Sequence, residues 1–246
     1  MDDGLHRTPR LYVETPLSAG ETLALDKAQS HYVVNVMRAK VGGQVRLFNG
    51  RDGEWLAKVT NAAKRACVLE IERRTREQEN LRDIHYLFAP LKHARIDYMV
   101  QKATEMGAAV LQPVLTDHTN VQRIKLERMG ANAIEAAEQC NLLAVPQVRD
   151  AIKLEALLAR WDESRQLVFC DEGAEKTSPI TALQKIEPGP LAVLIGPEGG
   201  FSPAERDMLH GLPFAHGVGL GPRIMRADTA AVAALALIQS VLGDWR

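Results

Sequence analysis

Residues 194–205 read Leu-Ile-Gly-Pro-Glu-Gly-Gly-Phe-Ser-Pro-Ala-Glu. The apolar residues 191–195 at its start have the length and composition of a buried strand. Further on, Ser202 is predicted as an N-cap, Pro203 as the first helical residue, and Glu205 as the partner that completes a capping box. The stretch therefore predicts a strand, a glycine-rich loop and a helix, with backbone N–H groups facing whatever lies above the loop.

A glycine-rich loop between a strand and a helix first suggests a phosphate site, but this spacing does not fit one. The chain has no G-x-x-x-x-G-K-[ST] motif, and Gly196, Gly199 and Gly200 do not match G-x-G-x-x-G. Pro197 also lacks the N–H that a phosphate loop would use. We therefore expect a ligand that is held by main-chain contacts without a phosphate. A tight turn before a capped helix, without a ligand, is the alternative.

A second loop lies twenty residues further on, where residues 220–226 read Leu-Gly-Pro-Arg-Ile-Met-Arg. An apolar stretch at 215–220 precedes it, and an almost wholly apolar helix at 229–242 follows. Asp228, with Thr229, is predicted to cap that helix. If the two loops lie close together, they can form one ligand site from main-chain atoms.

Composition limits the class of protein. The chain has 246 residues and a net charge of −1, so no overall basicity points to nucleic acid. Its longest apolar run, 230–238, is far shorter than the ~20 residues that span a bilayer, and the acidic start does not resemble a signal peptide. Cys67, Cys140 and Cys170 are widely spaced and are predicted as buried free thiols. We expect a cytoplasmic protein without a membrane segment or a metal site.

Two patterns of secondary structure divide the chain. Residues 10–72 combine short β-rich segments with one helix; the predicted strands are 10–14, 22–25, 44–49, 54–59 and 66–72, and the predicted helix is capped by Asp26 and continues to about residue 37. A charged segment, 73–82, is predicted as a linker. From residue 84 strands and helices alternate; the predicted strands are 84–91, 109–115, 167–171, 191–195 and 215–220, and the helices between them are 94–106 and 126–140. We therefore expect an α/β protein with domains 1–73 and 82–246, the second built on a mainly parallel sheet covered on both faces.

The two loops resemble those of the SPOUT methyltransferases, and within them the family that methylates N3 of a uridine in small-subunit ribosomal RNA (RsmE-type). That family has a G-P-E-G-G-F/L-S-x-x-E loop and an L-G-x-R-I-L-R-x-E-T-A segment. The second differs here only by Met225 for Leu and Asp228 for Glu. The resemblance implies a small N-terminal PUA-like β-barrel that binds RNA, a C-terminal α/β SPOUT domain with a deep trefoil knot, and a homodimer. Its partner would be small-subunit ribosomal RNA or the assembled small subunit.

The resemblance also implies a site for S-adenosylmethionine, the methyl donor. Main chain of residues 195–200 and 220–225 would contact the donor, with residues 170–172 as a third wall. The candidate cofactor-binding residues are Cys170, Asp171, Glu172, Ile195, Gly196, Pro197, Glu198, Gly199, Gly200, Leu220, Gly221, Ile224 and Met225. We expect a bulky replacement of Gly199 to abolish donor binding.

Three residues are candidates for catalysis. Methylation at a uridine N3 requires the loss of the imide proton, and negative charge then develops on the neighbouring carbonyl oxygens. Arg226 and Arg223, beside the predicted donor site, could stabilise that charge or hold an RNA phosphate. Glu198 could bond ribose hydroxyls, orient an arginine or accept a proton. For the arginines the alternative is a solvated side chain, and for Glu198 it is a structural role in the turn.

Seven residues are candidates for binding RNA: Arg7, Arg10, His31, Arg38 and Lys40 in the small domain, and Lys92 and Arg95 after the first strand of the large one. Arg46 could join the first group in a patch that reads phosphates. Solvated surface charge is the alternative for each. At two positions, Leu142 and His118 stand where the family has arginine. The sequence therefore leaves it open whether this chain makes the RNA contacts of those arginines.

The sequence leaves two rival functions. One is the same chemistry on another RNA nucleotide, because loops that bind the donor do not specify the base. The other is a knotted RNA-binding protein without catalysis. The residues also do not identify a general base.

Overall fold

The computed structural model describes residues 5, 8–91, 93–120, 124–174 and 178–245, with the backbone only at 93 and 94. The chain forms two compact units. One unit consists of residues 1–80 and 137–144, and the other of residues 81–136 and 145–246. The segment 137–144 was predicted to lie in the second domain, and the structure assigns it to the first unit.

The first unit contains a five-stranded sheet. Its elements are β1 (Arg10–Tyr12), β2 (Thr22–Ala24), α1 (Lys27–His31), β3 (Gln44–Phe48), β4 (Glu54–Ala63) and β5 (Ala66–Arg76), and α1 continues as one π-helical turn (Tyr32–Val36). The strand order is β1-β3-β4-β5-β2, with β1 parallel to β3 and the other pairs antiparallel. Strand β5 extends into the segment that was predicted as a linker, because its last residues continue the pairing with β4.

Arg10 explains why residues 137–144 pack with the first unit. Its guanidinium is buried and donates to the backbone oxygens of Ala137, Glu138 and Leu142. Arg10 Nε also donates to Glu54 Oε2 at 3.0 Å. A cation bound to the last carbonyls of a helix satisfies acceptors that have no intrahelical partner. Arg10 therefore holds residues 137–144 against the first unit by hydrogen bonds and does not lie on the surface. The prediction that Arg10 contacts RNA is corrected by this position.

The second unit contains one parallel sheet. Its elements are β6 (Ile84–Phe88), α2 (His93–Glu105), β7 (Val110–Leu115), α3 (Leu126–Gln139, of which the last three residues belong to the first unit), β8 (Gln147–Val148), β9 (Ile152–Lys153), α4 (Leu154–Leu158), β10 (Gln166–Cys170), α5 (Pro179–Leu183), β11 (Leu191–Ile195), α6 (Pro203–His210), β12 (Ala215–Val218) and α7 (Ala227–Val241). The strand order is β12-β10-β11-β6-β7-β8, and β9 pairs with β7. All of these pairs are parallel.

The alternation along β11 shows how both faces of this sheet are covered. Leu191, Val193 and Ile195 lie in one buried cluster with residues of α2 and α7. Ala192 and Leu194 lie in another cluster with residues of α4 and α6. Side chains alternate between the faces of a strand, so a strand that is apolar throughout must be buried on both sides. The predicted α/β architecture is confirmed. The knot implied by the resemblance stays a prediction.

The predicted helix caps differ in outcome. At α1 the N-cap is Asp26, as predicted, and its side chain accepts from Gln29 N. At α6 the Ser202 hydroxyl accepts from Glu205 N at 3.2 Å, and Glu205 Oε2 accepts from Ser202 N at 2.9 Å. The predicted capping box is therefore confirmed. At α7 the N-cap is Arg226, and Asp228 lies inside the first turn, where its Oδ1 accepts from Thr229 N. The helix begins two residues earlier than predicted, so Asp228 is not its cap; its charge still favours the positive end of the helix dipole.

His85 on β6 makes the stability of the second unit depend on pH. Burial, together with the nearby Arg165, lowers the pKa of His85 to about 4, although Asp83 lies 3.1 Å from its Nε2. The folded state therefore holds His85 neutral, whereas the unfolded chain takes up a proton near pH ~6.5.

We expect the free energy of unfolding to fall as the pH decreases from ~6.5 towards ~4. Between about pH 7.5 and about pH 5, His85 alone should lower the free energy of unfolding by about 2 kcal/mol. Denaturant unfolding of the wild type and of His85→Gln at both pH values measures it, since the glutamine cannot take up a proton. An equal loss in both proteins would contradict this assignment.

Candidate functional site

The predicted site lies at the carboxyl ends of three neighbouring strands. Strand β10 ends at Cys170, β11 at Ile195 and β12 at Val218, and β10 pairs with both of the others. In open α/β sheets ligands bind in the crevice at this edge. A pocket opens there, lined by Cys170, Asp171, Glu172, Ile195, Gly196, Pro197, Glu198, Gly200, Phe201, Arg206, Val218, Leu220, Gly221, Arg223, Ile224, Met225, Ala227 and Ala230. The two glycine loops and the 170–172 segment thus form one concave site.

The first loop, residues 196–201, is a tight turn. Gly200 N donates to Pro197 O at 2.9 Å, and Gly200 has a φ of +68°, a conformation that favours glycine. At Gly196 a side chain would meet the Phe201 ring at 3.1 Å. Gly199 is not among the lining residues in the described part of the chain, and a Cβ there would meet His118 at 3.4 Å. Gly199 therefore lies against His118, and the loss of donor binding expected for a bulky residue at this position stays a prediction.

The second loop, residues 220–226, is more open. Gly221 has a φ of +104°, and Ile224 is 92% exposed. Arg223 is exposed and contributes to the pocket wall. Arg226 is also exposed, at the start of α7, but is not among the pocket's lining residues as far as the structure describes them. Of the two candidate arginines, then, Arg223 borders the pocket and Arg226 stands at its edge.

Arg95 meets two carboxylates beside the pocket. Its Nη1 donates to Glu198 Oε1 at 3.0 Å, and its Nε lies 3.9 Å from Asp228 Oδ2. Of the roles considered for Glu198, pairing with an arginine is the one that these contacts display. Both side chains of the Arg95–Glu198 pair are about a third exposed or more, so solvent screens the pair and it contributes little to the stability of the fold. Arg95 is thereby engaged in ion pairs within the protein, where the sequence predicted an RNA contact.

The 170–172 segment, which forms the third wall of the pocket, contributes to a cluster of charged side chains that sequence reasoning missed. Asp171 is buried and accepts from Gly173 N at 2.9 Å, from Arg206 Nη2 and from His210 Nε2. Burial raises the pKa of Asp171, but these hydrogen bonds and the charge of Arg206 outweigh it and hold the pKa below its ordinary value. Positions 206 and 210 are four residues apart, so they share a helix face. That spacing was the available signal.

Cys170 lines the pocket as a neutral thiol. Burial raises its pKa to about 12, so the thiolate is scarcely present near neutral pH. A nucleophilic role for this cysteine is therefore unsupported, and its contribution is that of a small apolar group. Cys67 is buried, as predicted, whereas the residues Cys140 and Cys170 are only half-buried.

In the first unit the candidate RNA-binding residues separate by exposure. His31, Arg38 and Lys40 are exposed, on the helix and the segment that follows the π turn. Arg38 has a φ of +57°, and the neighbouring Val36 and Val41 are 58% and 66% exposed. Arg46 is buried on Glu54, so it does not join that surface. Arg7 and Lys92 lie outside the described residues.

Neither a metal-binding cluster nor a membrane-spanning helix occurs among the described residues. Within them, no group of three or more His, Cys, Asp or Glu side chains could hold a metal ion. None of the described helices is both long and apolar enough to cross a membrane.

Comparison with known families assigns a class to each part of the chain. A family model described as an RNA methyltransferase domain matches residues 77–239. A second model, described as an RNA methyltransferase PUA domain, matches residues 25–72. The first covers the parallel sheet and the pocket, and the second covers most of the small sheet. Fold and site together define an RNA methyltransferase with an accessory PUA domain.

Relatives narrow this class. Ribosomal RNA small subunit methyltransferase E of Bacillus subtilis is 30% identical over 88% of this chain and 89% of its own, and that of Rickettsia conorii is 27% identical over 94% of both. The crystal structure of the Neisseria gonorrhoeae methyltransferase E bound to S-adenosyl methionine has a TM-score of 0.85 at 26% identity, covering 98% of this chain and 100% of that one. A Legionella pneumophila methyltransferase in complex with the same cofactor has a TM-score of 0.83 at 28% identity, covering 95% and 98%. The chain belongs to the ribosomal RNA small subunit methyltransferase E family.

Proposed function

We propose that the protein transfers a methyl group from S-adenosylmethionine to N3 of one uridine in 16S ribosomal RNA of the small subunit. The observation that carries the proposal is the pocket formed by the two glycine loops and the 170–172 segment. Whole-length similarity to methyltransferases crystallised with this donor supports it. The choice of N3 of uridine rests on the motifs of the two loops.

The pocket residues fit the chemistry of the donor. Ile195, Val218 and Ala230 present an apolar floor that suits an adenine ring, and main-chain groups of both loops can hydrogen-bond its edge. The carboxylate of Glu172 lines the same pocket, where it can meet ribose hydroxyls or a positive charge. When bound, the sulfonium supplies an electrophilic methyl group.

The arginines of the second loop are the proposed source of rate enhancement. Negative charge develops on the uracil oxygens as N3 loses its proton, and a fixed cation beside them lowers the barrier. Arg226 is exposed at the start of α7, where a nucleotide can approach it. Arg223 borders the pocket and can serve both the donor and the RNA. Glu198 is proposed to act through Arg95, its ion-pair partner.

RNA binding is proposed for the exposed basic residues His31, Arg38 and Lys40 of the small domain. Arginine and lysine contact phosphates, and the exposed Val36 and Val41 beside them could pack on bases or sugars. Under this proposal residues 1–73 hold the RNA and residues 82–246 perform the transfer. The RNA is small-subunit ribosomal RNA, free or within the assembled subunit, and the enzyme acts in the cytoplasm.

We also propose that two copies form a two-fold dimer through α7. One face of this helix is buried within its own unit, whereas Val232, Ala233, Ala236 and Leu237 on the remainder are only half-buried. An apolar face of this kind favours a second contact. Light scattering at micromolar concentration measures whether the particle has twice the 27.1 kDa of the chain.

The transfer assay tests the proposed function against its rivals. Purified protein is incubated with donor labelled in its methyl group and with small subunits, large subunits or protein-free RNA from a strain that lacks the enzyme. We expect label in small-subunit RNA only, approaching one methyl per RNA molecule, and none in RNA from a strain that has the enzyme. Label in large-subunit RNA would support another nucleotide as the target. RNA binding without transfer would support the non-catalytic alternative.

A further inference from the structure

The turn at residues 116–119 follows β7 and packs against the glycine loop of the donor pocket. The turn is closed by its own bonds, since Thr119 N donates to Thr116 O at 3.0 Å and Thr116 N donates to Thr119 Oγ1 at 3.0 Å. Thr116 is buried, so the base of the turn is anchored at the end of its strand. The turn therefore presents Asp117 and His118 from a fixed base.

Asp117 joins this turn to the start of α6. Its backbone N–H donates to Glu205 Oε1 at 2.9 Å, and its Oδ2 accepts from the Ser202 hydroxyl at 2.6 Å. Ser202 and Glu205 are the buried members of the capping box that begins the helix. A capping box satisfies the local backbone by itself. The bonds to Asp117 are additional. They connect the start of α6, which follows β11, to the turn after β7, and only β6 lies between these two strands in the sheet.

His118 extends the same attachment onto the glycine loop. Its Nδ1 lies 3.1 Å from both Gly199 O and Gly200 O. A carbonyl oxygen can only accept, so Nδ1 must carry the proton and donate to the two oxygens. The imidazole also packs against Gly199, where a Cβ would lie 3.5 Å from Nδ1 of His118.

These bonds determine the direction of the two peptide groups that flank Gly200 in the glycine loop. In a trans peptide the C=O and N–H groups point in opposite directions. With both oxygens held towards His118, the N–H of Gly200 faces Pro197 O, to which it donates, and the N–H of Phe201 faces away from the imidazole. The backbone orientation on which a main-chain ligand site depends is thus set from behind the loop.

We propose that His118 is a positioning residue of the donor site, whose Nδ1–H holds the glycine loop in its binding conformation. This inference rests on the proposed function in one respect, namely that the pocket takes the methyl donor. His118 is not among the pocket's lining residues in the part of the chain that the structure describes, and it acts through the two carbonyl groups.

Three substitutions separate hydrogen-bond donation from size. In His118→Asn the amide Nδ2 takes the place of Nδ1 and can donate to the same oxygens. In His118→Asp an acceptor of the same shape faces those oxygens and repels them, and in His118→Ala the bonds are absent. By calorimetry we expect the affinity for S-adenosylmethionine to lie within about threefold of wild type for the Asn variant. It should be about tenfold weaker for the Ala variant and weaker still for the Asp variant. Equal affinity for Asn and Asp would overturn the proposal.

Hydrogen exchange without donor keeps this test separate from that of the proposed function. We expect faster amide exchange in residues 196–202 for Ala and Asp than for wild type and Asn, with unchanged exchange in β10 and β11. If wild type bound no S-adenosylmethionine, the proposed function would fail while exchange still reported on His118. Similar exchange in all four proteins would remove His118 as the support of the loop. Should the Asp variant not fold, the comparison of Asn with Ala decides.

Discussion

Replacing Ala230 by leucine is expected to abolish donor binding while leaving the protein folded. Ala230 is buried on α7, and its side chain lines the pocket. Leucine adds three carbons there, and it is nearly as good a helix former as alanine, so the helix itself should be retained. We expect affinity for S-adenosylmethionine to fall at least about 100-fold, because the added atoms occupy the space of the ligand or force it from its bonds.

Calorimetry with S-adenosylmethionine measures this loss, and thermal unfolding checks the fold. Ser240→Leu is the matched control, since Ser240 is an exposed residue in the last turn of the same helix. The control should bind the donor as the wild type does. An Ala230→Leu variant that binds normally would mean that the donor site lies elsewhere.

Replacing Arg226 by alanine is expected to remove rate without removing donor affinity. The side chain is exposed and stands at the edge of the pocket, so its loss should change neither the fold nor the donor's contacts. If its cation acts on charge that develops only in the transition state, kcat should fall about 100-fold or more at saturating RNA. Arg226→Lys retains the charge and should recover part of the rate.

Single-turnover methylation at saturating RNA and donor separates this effect from binding. Arg38→Ala, in the other unit, is the comparison: it should weaken RNA binding in a salt-dependent way and leave the saturated rate near that of the wild type. A wild-type kcat for Arg226→Ala would show that Arg226 does not contribute to the rate of transfer. Arg223 and Glu198 would then be the next residues to replace.

Local patterns were sufficient to predict the elements around the site. The capping box at Ser202 and the apolar run 191–195 involve residues a few positions apart, and both are as predicted. The predicted donor walls also line one pocket, apart from Gly199. Parallel strands place their carboxyl ends at one edge, so the order of strands and loops along the chain was enough to bring these segments together.

Contacts between distant residues could not be predicted in the same way. Arg10 and Glu54 are 44 positions apart, and Arg95 and Glu198 are 103 apart, so no periodicity connects them. From the sequence, Arg10 and Arg95 were therefore predicted to contact RNA or solvent. In the fold, each of them pairs with a carboxylate from a distant part of the chain. His118 shows the same limit, because its partners are carbonyl oxygens 81 and 82 residues away. The short elements β8, β9, α4 and α5 were also not predicted, since two to five residues hold too little pattern.

Mapping the methyl group on the RNA tests the central claim most directly. Small subunits from a strain lacking the enzyme are treated with the purified protein and S-adenosylmethionine, and the RNA is digested to nucleosides and oligonucleotides for mass spectrometry. The proposed function predicts N3-methyluridine at a single position of 16S RNA, absent when Ala230→Leu replaces the wild type. A methyl group on another base, on a ribose, or at many positions would contradict it.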